Sequence, residues 1–173
     1  MADMRIMHHE ILLPVRGSFI VFTLIAALLA NLLPWSGAAL WIKPDFVALV
    51  VLYWCIEQPR KVGFTAAWVL GLVMDVADGT LFGQHALSYS ILAYAGIVLH
   101  RRVLGFTGTA QVLHVVLLLL MNDLIVLAIR ALAGADFPGF QYFIGSFVAG
   151  VLWLPLGVLL KLPQRPQPDP DRV

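Results

Sequence analysis

Cysteine occurs once in this 173-residue chain, at Cys55, and charged residues make up only 12% of it. A single thiol excludes an internal disulfide framework, and without a partner cysteine Cys55 reads as a small buried hydrophobe. Ordinary soluble domains carry about 25% charged residues. Half that share, with a 61% apolar composition and a mean hydropathy of +0.90, excludes that class. The net charge of +1 offers no basic surface for nucleic acid. The chain also lacks a Walker loop, a nucleophile elbow and a dinucleotide-binding glycine turn. Its histidines, His8, His9, His85, His100 and His114, show neither a His-x3-His nor a Cys-His spacing. No catalytic set, zinc site or cofactor is therefore expected.

What is present is a succession of apolar runs, at 17–33, 45–56, 62–76, 85–99, 109–132 and 140–160. They predict an all-α, polytopic membrane protein: a six-helix membrane domain over 17–161, a polar segment 1–16 and an irregular Pro-rich tail 162–173. The first run is not a signal peptide, because Pro34 and further apolar sequence follow where a cleavage site would stand. The second run is short, about 18 Å at helical rise against a hydrocarbon core of about 30 Å. Its flanks must extend it, or the bilayer thins, or it is partly re-entrant. His100, Arg101 and Arg102 close the fourth run, and Pro155 should kink or locally unwind the sixth. Trp35 and Trp41 suit a membrane interface.

With six crossings, Arg5, Arg16, Arg60, Lys61, Arg101, Arg102, Lys161, Arg165 and Arg172 share one side, and only Lys43 and Arg130 fall on the other. The positive-inside rule then puts both termini in the cytoplasm of a multi-pass inner-membrane protein.

One stretch stands out. Gly63, Ala67, Gly71, Asp75, Gly79 and Gly83 recur at every fourth position, and the helical part forms a face of nearly bare backbone ending in a carboxylate. Such a face admits a close neighbour, either a partner helix or one of the chain's own. Asp75 and Asp123 lie at matching depths, about 20 Å from the cytoplasmic edge, with Asn122 beside the second acid. Arg130, seven residues on, lies on the same helical face and could pair with an acid below it while reaching outward. Buried polar groups of this kind act as interhelical glue or mark an ion or ligand site. Asp75-Val-Ala-Asp78-Gly79 resembles the opening of the CDP-alcohol phosphotransferase signature, but Phe82 and Gly83 replace its Ala-Arg pair and its later aspartates are missing.

From about Leu40 onward the chain resembles the MreD family of bacterial rod-shape-determining proteins. The resemblance rests on Lys43-Pro44-Asp45 leading into a run that ends Tyr53-Trp54, the turn Gln58-Pro59-Arg60, and Gly71-x3-Asp75-x3-Gly79-x3-Gly83. Ser90-Ile91-Leu92-Ala93-Tyr94 and Asp123 also fit. It implies a non-enzymatic scaffold of the cell-elongation machinery, similar in outline to the substrate-binding subunits of energy-coupling vitamin transporters. It further implies a transmembrane and juxtamembrane contact with MreC, indirect links to MreB, RodA and the elongation-specific transpeptidase, contact with membrane lipid, and room for a homo-oligomer. Two readings follow. In one, a groove receives the MreC transmembrane segment, with Gly71 and Asp75 as contacts or as supports behind them. In the other, an outward cavity near Asp75, Asp78 and Asp123 makes the chain a substrate-binding membrane subunit of a small-molecule transporter.

Overall fold

A computed structural model describes residues 15–37 and 42–164. The segment 1–14, with its two histidines, Trp41, and the tail 165–173 lie outside the described residues. Those described form six α-helices and no strand: α1 (Gly17–Leu32), α2 (Phe46–Glu57), α3 (Phe64–Ala77), α4 (Gln84–Gly105), α5 (Thr109–Leu132) and α6 (Ile144–Lys161). A 3-10 turn, Phe140–Phe143, precedes α6, and another, Leu162–Gln164, follows it. The expected irregular tail thus begins as an ordered turn, with Gln164 buried and its Nε2 donating to Leu160 O at 2.9 Å.

The core is organised by the shortest helix. Every residue of α2 from Val47 to Ile56 is buried, which accounts for a run that is apolar all round. Packed beside it are α1, α4 and, to a smaller extent, α6, while α4 also packs on α3 and α5. At Gly96 of α4 a Cβ would stand 3.0 Å from Leu52 Cδ1 and 3.3 Å from Cys55 Cβ, so the missing side chain lets α4 lie close on α2. The indole of Trp54 is fully buried and donates from Nε1 to Thr23 Oγ1 of α1 at 2.9 Å. Because α2 is sheathed by its own neighbours, its length need not match the thickness of a bilayer.

One expectation about a helix end changes. The fourth helix does not stop at His100-Arg101-Arg102 but runs on to Gly105, with both arginines exposed. Arginine favours helix, and its long side chain reaches outward from the last turns, where positive charge also suits the helix dipole. Pro155 leaves α6 a single α-helix from Ile144 to Lys161.

Opposite ends of the bundle are chemically distinct. Lys61 Nζ donates to Val15 O, and Lys161 pairs with Glu57 at 2.6 Å, which gathers the start of α1, the α2–α3 turn and the end of α6 at one end. Asn31, Asp45, Asp75 and Asp123 all lie toward the other. Outward faces are apolar: Phe22, Ile25 and Leu29 on α1, Trp68 and Val76 on α3, Leu113 and Leu117 on α5, Val151 and Val158 on α6 are exposed. The 109–132 helix and the 140–164 run are each long and apolar enough to cross a membrane, while α1, α2 and α3 are apolar but shorter.

Candidate functional site

The periodic glycines serve two different structures. Gly71 sits in mid-α3, where a Cβ would overlap the Ala86 backbone and lie 2.6 Å from the His85 carbonyl carbon. The bare face is therefore filled by the first turn of the chain's own α4, and α3 against α4 is the most extensive helix pairing in the fold. Ala67, fully buried, continues that packed face, and Gly63 is the N-cap of α3, with open space around it. Gly79 and Gly83 lie beyond the helix at φ +61° and +99°. Gly79 closes α3: its N–H donates to Val76 O at 3.4 Å, and that of Thr80 donates to Asp75 O at 3.0 Å. This is the Schellman pattern, which needs a left-handed residue.

Asp75 ties the two helices together. It is 1% exposed. Its Oδ2 accepts from the N–H groups of Gly83 at 2.8 Å and Ala86 at 3.4 Å; Oδ1 accepts from the His85 N–H at 2.7 Å, the His85 ring Nδ1 at 2.9 Å and Thr80 Oγ1 at 3.3 Å. The free amides of a helix N-terminus attract an anion, and here α3 supplies it. The buried acid is thereby fully engaged inside the protein.

A second polar cluster forms where α2 begins. Asp45 caps α2 through Ala48 N at 3.0 Å, accepts from Asn31 Nδ2 at 3.0 Å, and accepts from the Tyr89 hydroxyl at 2.7 Å. Asn31 in turn receives Phe46 N on its Oδ1 at 2.9 Å and Lys43 Nζ on its carbonyl at 2.7 Å. Three helices, α1, α2 and α4, thus meet at one carboxylate. Because α2 starts this deep in the bundle, a polar cavity of about 150 Å³ opens over its first turn, lined by Asp45, Asp78, His85, Asn122, Asp123 and Tyr142 among others. Asp123 Oδ2 accepts from Ser146 Oγ of α6 at 2.5 Å. Asn122 is 2% exposed, and its Oδ1 has no hydrogen-bond partner among the described residues.

Asp75 and Asp123 are at one end but are held by different helices, and Asp75 does not line the cavity. Arg130 makes no ion pair among the described residues. His114 stacks on Phe106, with ring centroids 4.4 Å apart, and His100 Nδ1 bonds to Ile97 O at 2.6 Å. The cluster of Asn31, Asp45, Tyr89 and Ser146 is not evident from spacing, because its members come from four helices. Lys43-Pro44-Asp45 was its one local signal, a capping acid just before an apolar run. No group of three His, Cys, Asp or Glu residues suited to a metal ion occurs among the described residues.

A helical bundle with apolar side chains facing outward and its acids hydrogen-bonded within is a membrane protein. A family model described as rod shape-determining protein MreD matches residues 15–162. The Rod shape-determining protein MreD of Haemophilus influenzae is 31% identical over 133 residues, which is 75% of this chain and 80% of that protein. No solved structure matches. The chain belongs to the MreD family, whose role is in rod shape determination and whose members are not enzymes.

Proposed function

We propose that this chain is a six-span, inner-membrane scaffold of the elongation machinery that holds the transmembrane segment of MreC, and through it helps to control peptidoglycan synthesis and cell shape. One observation carries the docking site. An apolar groove of about 460 Å³ runs between α1 and α6 over the start of α2. Its α1 wall presents small residues four apart, Thr23 with Ala27 and Ala26 with Ala30, against Leu156, Leu159 and Leu160 of α6. Small residues at this spacing let a second helix approach closely within lipid, where packing rather than water exclusion drives association. The small face of α3 is already taken by α4, so Gly71 and Asp75 act as supports behind the site. The basic end supports a cytoplasmic position for both termini.

The test is co-purification with MreC in mild detergent. Ala26→Leu with Ala30→Leu should fill the groove and lose the complex while the chain still elutes as a single species; Val73→Leu, on the exposed face of α3, should keep it. A complex retained at wild-type level with the groove filled removes the groove as the docking site, and no complex with the wild type removes MreC as the partner. The polar cavity over the first turn of α2 favours a second reading, a substrate-binding membrane subunit of a transporter. Asp45, Asp78, Asn122 and Asp123 among its lining residues supply polar groups for a solute.

A further inference from the structure

The helices α1 and α3 start side by side at the basic end and then part. Lys61, just before the N-cap Gly63 of α3, donates from Nζ to the carbonyl of Val15, just before the N-cap Arg16 of α1, which fastens the two starts together. Beyond that point α1 touches α3 only slightly, and a groove of about 560 Å³ opens between them. Val21, Leu24 and Ile25 form one wall, and Ala66, Val69 and Leu70 the other. Gly63 widens the mouth, since a Cβ there would meet nothing within 4 Å. The polar side chains of the lining, Lys61 and Thr65, both stand at that mouth.

Charge decides what this groove suits. Arg60 precedes Lys61 and Arg16 follows Val15, so three exposed cations gather at the mouth. None of them pairs with an acid among the described residues, and Glu57, the acid described at that end, is held by Lys161. Neither helix start carries a side-chain cap among the described residues, so the positive ends of two helix dipoles add to the same field. An apolar slot with unpaired positive charge at one end complements an amphiphile with an anionic head and a hydrocarbon tail. Depth narrows the class. From Gly63 to Leu70 the wall rises about 10 Å, about a third of the hydrocarbon core. A partner's spanning helix would overrun it, whereas an acyl chain within one leaflet fits. A second copy, related by a two-fold axis along the membrane normal, would bring like cations together at one depth. We infer that the groove between α1 and α3 seats an anionic phospholipid, its phosphate at Arg16, Arg60 and Lys61 and one acyl chain between the helix walls. The lipid completes the packing where α1 and α3 part. That it belongs to the cytoplasmic leaflet rests on the orientation proposed above; the site itself does not, and it shares no lining residue with the groove between α1 and α6.

The experiment titrates the full chain, purified in mild detergent, with phosphatidylglycerol or with phosphatidylcholine of the same acyl chains, and counts bound lipid by native mass spectrometry. A cation beside an anionic headgroup is worth about fivefold in affinity, so phosphatidylglycerol should bind at least about tenfold more tightly. Arg16→Gln with Arg60→Gln should remove most of that preference and leave phosphatidylcholine as it was; Lys61→Gln alone should lower it about fivefold. Ala66→Phe, or Val21→Phe on the opposite wall, should weaken both lipids, and either serves if the other does not fold. Arg101→Gln with Arg102→Gln, exposed on α4 and outside the groove, should keep the preference. No preference in the wild type overturns the proposal, as does a preference unchanged in both charge variants. A loss of equal size on changing Arg101 and Arg102 makes it a property of the whole basic end and overturns the site. Undiminished binding in both groove-filling variants overturns it too, and leaves the groove to a second copy or to the segment 1–14. Displacement of phosphatidylglycerol by inorganic phosphate at equal concentration overturns the lipid as the source of the anion.

Discussion

At Asp75 five donors converge on two oxygens, and no donor is asked of the side chain. An amide cannot serve there. Whichever way Asp75→Asn is turned, its NH2 meets N–H groups, those of Gly83 and Ala86 on one side or those of His85 on the other. Losing one acceptor and opposing two donors should destabilise the chain by about 1–3 kcal/mol, seen as a lower midpoint in detergent, and the loss should be larger for Asp75→Ala. Gly71→Ala tests the neighbouring contact. Its Cβ has only backbone to push against, so α3 and α4 must separate, at about 1–3 kcal/mol or more. Gly63→Ala, in open space, should stay within about 0.5 kcal/mol. Equal effects at Gly63 and Gly71 would remove the helix contact as the cause. The fourfold spacing in the sequence shows that the backbone is bare there. It does not show that the last two glycines leave the helix, since a left-handed turn and a close helix contact select the same residue.

Among the elements, α2 is the one whose sequence and setting differ most. Twelve apolar residues without a polar face fit a lipid-crossing segment and a wholly buried helix equally, because periodicity carries no signal for either. What separates them is the neighbourhood, which only the fold supplies. The other helices read well from the chain because apolar runs, Gly–Pro breaks and charged turns coincide with their ends. The exception is α4, where arginines inside a helix imitate a boundary. Burial makes a prediction for α2. Trp54→Ala removes an indole that is 0% exposed, together with its hydrogen bond to the Thr23 hydroxyl, and should cost about 3–5 kcal/mol. Trp68→Ala, at 45% exposure on the outer face of α3, should cost far less in the same unfolding measurement. The cavity is the other consequence of a short α2, and it is invisible in the sequence because its walls come from the α1–α2 connection and all six helices.

For the whole molecule, the two ends make opposite predictions about accessibility. The lone cysteine, Cys55, is fully buried, so the natural chain is a silent background for thiol labelling. Cysteines placed at Arg60 or Thr107 should react with a membrane-impermeant maleimide only after the inner membrane is opened, and one placed at Asp136 should react in intact spheroplasts. Labelling at Asp136 only after permeabilisation would reverse the orientation, and labelling at both ends from outside would rule out an odd number of crossings between them. The charge asymmetry behind this prediction is fully legible in the sequence, because it needs only the count and order of the spans. The capture of the α4 N-terminus by Asp75 bears on how such a chain is made. While α3 alone is in the translocon its carboxylate has no amides to meet, and while α4 is still in the ribosome those amides do not exist. The two segments should therefore enter the bilayer together as a hairpin, with α3 waiting beside the translocon until its successor arrives.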